Sequence, residues 1–207
     1  MWAAYGASYK EGFTRRTEVN VPEKSTLILN KLFAGAYGLS NDTICDAYEA
    51  NVNWNSSDAL VGYIFGGNNN ARRTLYGRVN INAPVWTNKT SGYMASVFGA
   101  GCGENTWSQY TEVNFNKGAQ AYIIYGGGQN GRVCNVATAR QMSIDEYHDL
   151  EFKGLAIGNT YEEDGLKNPL AKPRHDGRKY NTNVIINKGS VVGSYLGGYQ
   201  VGGGYAY

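Results

Sequence analysis

One short pattern recurs along the chain and narrows what it can fold into. Val-x-apolar, mostly flanked by Asn, occurs at Val19-Asn20-Val21, Val52-Asn53-Trp54-Asn55, Val79-Asn80-Ile81-Asn82, Val113-Asn114-Phe115-Asn116 and Val184-Ile185-Ile186-Asn187. Each is followed by an apolar or aromatic pair running into Gly or Ala: Leu32-Phe33-Ala34-Gly35, Ile64-Phe65-Gly66-Gly67, Val97-Phe98-Gly99-Ala100, Ile124-Tyr125-Gly126-Gly127 and Tyr195-Leu196-Gly197-Gly198. Ala4-Tyr5-Gly6-Ala7 reads as the tail of an earlier copy. The valines advance by 33, 27, 34 and 71 residues, so the last step contains an insertion. Self-similarity at such a period is the mark of a stacked array.

The residue types explain why the pattern repeats. Val-Asn-apolar-Asn alternates with period two, placing both apolar side chains on one face and both amides on the other. A lone strand of this kind cannot bury its apolar face, whereas stacked copies cover one another and form a column of valines. Asparagines in register, about 4.8 Å apart, can hydrogen-bond in ladders. Glycine after the second strand suits a sharp backbone corner. Glycine is 28 of 207 residues, roughly twice the usual ~7%, and no long stripe of helical period occurs. The expectation is an all-β, single-stranded right-handed parallel β-helix (solenoid) of about five coils with one loop-rich insertion. Coils span 1–134, the insertion, irregular or one atypical coil, spans 135–180, and one or more final, truncated coils span 181–207. A small all-β sandwich with coincidental repeats is the other architecture.

Charge says little about partners. The net charge of +2 gives no case for nucleic acid, and pairs such as Arg72-Arg73 and Arg178-Lys179 read as solvated loop charge. No apolar run reaches the ~18 residues of a membrane helix, and residues 1–20 lack the layout of a secretory signal. The chain opens and closes inside repeats, which suggests a piece of a longer polypeptide with neighbouring domains. Cys45, Cys102 and Cys134 fit no CxxC spacing and read as small buried hydrophobes, although one disulfide remains open. The third copy carries an extra loop, Pro84 to Gly92, expected on the outside of the stack.

Candidate chemistry is sparse. The insertion holds 8 of the 17 acids and both histidines. Asp145, His148 and Asp149 have the residue types for acid–base or metal work, but without a recognised spacing they read first as solvated surface. Gly126-Gly127-Gly128-Gln129-Asn130-Gly131 lacks the lysine and hydroxyl of a phosphate loop and reads as a turn. A tyrosine precedes several of the valines, at Tyr48, Tyr76, Tyr110 and Tyr180. Pointing inward, such a column is core; pointing outward, Tyr48, Tyr76 and Tyr110 would offer ring faces to sugars. No cofactor or metal is expected.

With these motifs in hand, the chain resembles the glycine-rich parallel β-helix, adhesin-like surface proteins of gut bacteria. The closest matches are Val113 to Gly128 and Val184 to Gly198, which share the turns Asn116-Lys117-Gly118 and Asn187-Lys188-Gly189. The resemblance implies secretion or surface display and contact with glycans or a host surface protein, and offers no catalytic residues. The functional expectation is a non-enzymatic extracellular structural or adhesive module of a bacterial surface protein. The alternative is a polysaccharide lyase or glycosidase on the same fold, which would have to recruit Asp145, His148 and Asp149.

Overall fold

The computed structural model describes residues 2–39, 45–104, 106–133, 182–193 and 200–202. These are all β, with no helix among them, and the strands pair almost entirely in parallel. In chain order they are β1 (Ala3–Tyr5), β2 (Gly12–Val21), β3 (Ile28–Phe33), β4 (Cys45–Trp54), β5 (Leu60–Phe65), β6 (Arg73–Ile81), β7 (Trp86–Asn88) and β8 (Tyr93–Met94). There follow β9 (Ser96–Phe98), β10 (Trp107–Phe115), β11 (Gln120–Ala121), β12 (Ile123–Tyr125), β13 (Arg132–Val133), β14 (Thr182–Ile186), β15 (Val191–Val192) and β16 (Gln200–Gly202).

The strands sort into three sheets. One has eight strands, in the order β1-β3-β5-β9-β12-β16 with β7 and β8 at its side; one has six, β13-β10-β6-β4-β2 with β14 also on β10; the third is β11-β15. From β1 to β6 the chain alternates between the two large sheets, so each passage adds one strand to each and builds the molecule in layers. The valines of the repeat lie directly opposite one another, as Val19↔Val52↔Val79↔Val113↔Val184. A sandwich of antiparallel strands is therefore ruled out. The extra loop from Pro84 forms β7 and β8, the one antiparallel strand pair among the described residues.

The core follows the alternation. Val52, Val79 and Val113 are fully buried against Ile64, Val97 and Ile124 of the eight-stranded sheet. The small residue after each aromatic, Gly6, Ala34, Gly66, Gly99 or Gly126, sits where the two sheets approach. A Cβ on Gly66 would lie 2.2 Å from the Gly99 carbonyl oxygen and 3.0 Å from Val79 Cγ2, so any side chain would push the layers apart. Opposite this corner runs the small-residue column Thr17, Ala50, Gly77 and Thr111. Thr17 Oγ1 donates to the Ala34 carbonyl at 2.5 Å, and Thr111 Oγ1 donates to that of Gly126, so the hydroxyls tie sheet to sheet. The shared Asn-Lys-Gly turns place Gly118 and Gly189 at φ of 88° and 90°, the left-handed region where a Cβ is strained.

One expectation about register is corrected. Ile124 and Tyr125 pair with Val201 and Gly202, not with the Tyr195-Leu196 copy. Tyr195 and Leu196 lie outside the described residues. The segments on either side of the insertion share one neighbour. Both β13 and β14 pair with β10, with Val133 opposite Ser108 and Thr182 opposite Thr111. One strand position of the six-stranded sheet is thus shared by two segments of chain, on either side of residues 134–181.

Candidate functional site

The outer face of the six-stranded sheet carries the polar half of the repeat. Asn53 Nδ2 donates to Asn20 Oδ1 at 2.7 Å, Asn80 to Asn53 at 2.7 Å and Asn114 to Asn80 at 2.8 Å. A second ladder runs beside it: Asn82 donates to Asn55 and Asn116 to Asn82, both at 2.7 Å, and Asn187 to Asn116 at 2.8 Å. In-register stacking makes the interior amides, Asn53, Asn80, Asn82 and Asn116, both donor and acceptor along the column. Next to the first ladder, Arg78 Nε donates to Glu112 Oε1 at 3.0 Å, and that carboxylate oxygen also accepts from Asn114 at 2.9 Å.

The tyrosines stack, but not as one register. Tyr76 lies opposite Tyr110, with ring centroids 5.3 Å apart and planes 21° from parallel. Tyr48 stands four residues before its valine rather than three, so Glu49 occupies the position opposite Tyr76. Its ring reaches Tyr76 at 5.7 Å and a tilt of 55°. Tyr76 is 9% exposed and Tyr110 2%, so these two add to a small apolar cluster with Leu75 and leave little ring surface for a sugar. Tyr180, Asp145, His148 and Asp149 lie outside the described residues.

A buried ionic cluster replaces the expected loop charge at Arg72-Arg73. Arg72 grips Asp46 with two bonds, Nε to Oδ1 at 3.1 Å and Nη2 to Oδ2 at 2.5 Å. Arg73 is 1% exposed, reaches the same Oδ2 at 2.8 Å and lies over the Trp107 ring at 5.6 Å. The fork of a guanidinium matches a carboxylate in two places, which is why arginine holds such a buried acid. Spacing gave no sign of this, because Asp46 and Arg73 meet only through the β4–β6 register.

Asn68 closes the corner between the two large sheets. It is fully buried, accepts from the Ala36 amide at 2.8 Å, and donates to the carbonyls of Cys45 at 3.1 Å and Arg73 at 2.9 Å. On the outer side of the eight-stranded sheet, Tyr5, Phe33, Phe65, Phe98 and Tyr125 form a ladder with centroid steps of 5.0, 4.6, 5.0 and 5.1 Å. Cys102 and Tyr63 pack on it, and Lys31 lies across the rings of Tyr63 and Phe65 at 5.7 and 5.8 Å. Lys31 Nζ ends 3.8 Å from Cys102 Sγ. Burial pushes the Cys102 thiol above its ordinary pKa, with Lys31 acting the other way. Cys45 and Cys102 are free thiols.

Among the described residues no group of three or more His, Cys, Asp or Glu could hold a metal ion, and no helix is long and apolar enough to cross a membrane. No family model, curated protein or solved structure matches the chain. What fold and face define is a class only: an all-β chain of layered parallel sheets. The resemblance to glycine-rich, adhesin-like surface proteins of gut bacteria is not sustained, because nothing matched supports it and the strands divide among three sheets.

Proposed function

We propose that the chain is a single-stranded right-handed parallel β-helix of about five coils, serving as a non-enzymatic structural or adhesive module that is secreted or displayed at a cell surface. Its contacts would be glycans or a surface protein. One observation carries this reading: much of the polar chemistry of the six-stranded sheet is committed to bracing neighbouring layers. The amides bond one another, Asp46 is held by Arg72 and Arg73, and Arg78 is paired with Glu112. Handedness rests on the general preference of parallel crossovers.

The test applies the whole chain to a glycan array and, in parallel, to an assay for unsaturated or newly reducing oligosaccharides. Glycan binding without product supports the adhesive role. Release of product overturns the non-enzymatic reading in favour of a carbohydrate-active enzyme. Fractionation of the native cells checks location, and a chain confined to the cytosol would sink the surface assignment.

A further inference from the structure

We propose that Lys31 and Cys102 form a modification site: an oxidation-dependent nitrogen–sulfur cross-link that staples β3 to the turn after β9 across the intervening layer of β5. The proposal is independent of the function proposed above.

The geometry is specific. Lys31 stands opposite Tyr63 in the β3–β5 register, and Tyr63 opposite Ser96 in the β5–β9 register. Cys102 lies in the turn after β9 and bridges to Asn69, at the equivalent place in the turn after β5. The lysine chain therefore passes over one complete layer, lying along Tyr63 and Phe65, to reach the sulfur at 3.8 Å. Aromatic faces hold a lysine stem in an extended path. On its other side the sulfur meets Gln129 Oε1 at 3.5 Å, which fixes the thiol between amide and amine. Lys31 makes no ion pair with a carboxylate among the described residues, so its amine has the thiol and the rings as its neighbours.

The chemistry requires a peroxide as co-reactant. Hydrogen peroxide oxidises the Cys102 thiol to a sulfenic acid: the O–O bond breaks, sulfur gives up two electrons, and water leaves. The Lys31 nitrogen, as the free amine, then attacks sulfur. The N–S bond forms, the S–O bond breaks, and hydroxide leaves as water with a proton from nitrogen. Overall, thiol, amine and one peroxide give a sulfenamide and two waters, and the protein loses two hydrogen atoms. Burial keeps the thiolate scarce, so the first step is slower than at an exposed cysteine.

The whole chain is treated with hydrogen peroxide, digested, and examined by mass spectrometry. A peptide pair joined through Lys31 and Cys102, lighter by two hydrogens and separated by a thiol reductant, is the expected result. The joined pair is lost in Lys31→Gln and in Cys102→Ser, and it persists in a Cys45→Ser/Cys134→Ser chain, where no disulfide can form within one molecule. Far-UV circular dichroism checks that each variant retains its β structure. If Cys102 of the unaltered chain gains only oxygen, or if the joined mass survives in Lys31→Gln, the cross-link is overturned.

Discussion

Asn68 is the residue on which the corner depends most. A buried amide that meets three backbone groups leaves all three unsatisfied when it is truncated, at about 1–3 kcal/mol for each group that finds no water. Asn68→Ala is expected to lower stability by about 2–5 kcal/mol in chemical denaturation. Asn80→Ala, on the partly exposed ladder, should cost only about 1 kcal/mol, because water can replace the lost amide. Equal losses at the two sites would refute the special role of Asn68. Gly66 is just as restrictive for a steric reason. The carbonyl that a Cβ would strike belongs to backbone, so Gly66→Ala must displace a layer, and the melting temperature should fall by more than for Ala34→Gly in the same column.

The aromatic ladder shows how a single element inherits strength from its neighbours. Phe65 has a stacked ring above and below, at 4.6 and 5.0 Å, while Tyr5 has a stacked ladder partner on one side only. Phe65→Ala removes both ladder contacts and a third stacked contact with Tyr63, and leaves a void between rings, which predicts a loss of about 3–5 kcal/mol. Tyr5→Ala should cost visibly less, and urea titration of the two variants checks the order. Much at this scale was legible in the sequence. Val52, Val79 and Val113 align because their spacing and alternation require it, and the ladders at Asn53 and Asn82 follow from the same period. What was not legible depends on register between copies that differ. Asn68 shares its column with Ala36 and Gly101, so no repeat announces it. Arg73 reads as loop charge until β6 lies beside β4. Tyr48 looks equivalent to Tyr76 until a one-residue offset places Glu49 there instead. Tyr195-Leu196 matches the last copy by residue type, while β12 pairs with Val201 and Gly202.

For the molecule as a whole, alkaline pH is the sensitive direction. Cys45, Cys102, Tyr5 and Tyr48 all have pKa values raised in the folded chain, in each case chiefly by burial. Such groups are neutral below their unfolded pKa, where their contribution to stability is fully present. It is lost as pH rises through the higher folded values, because the unfolded chain gives up its protons first. The melting temperature is expected to decline from about pH 8.5, where unfolded thiols begin to ionise, and further above about pH 10 with the phenols. Tyr5→Phe should flatten the second part of that decline, and a profile indifferent to this change would count against the assignment.

The strand position shared by β13 and β14 brings Val133 and Thr182, the two ends that flank residues 134–181, beside the same strand. Gln109 and Tyr110 alone separate Ser108 from Thr111 on the facing strand. Excising residues 134–181 and joining Val133 to Thr182 through a two-residue link should give a continuous edge, with a smaller closure penalty than a longer connection carries. The shortened chain is expected to keep its β circular dichroism and unfold at least as cooperatively as the parent. The same junction is then a natural port, where foreign sequence could be spliced in without disturbing the layers beneath.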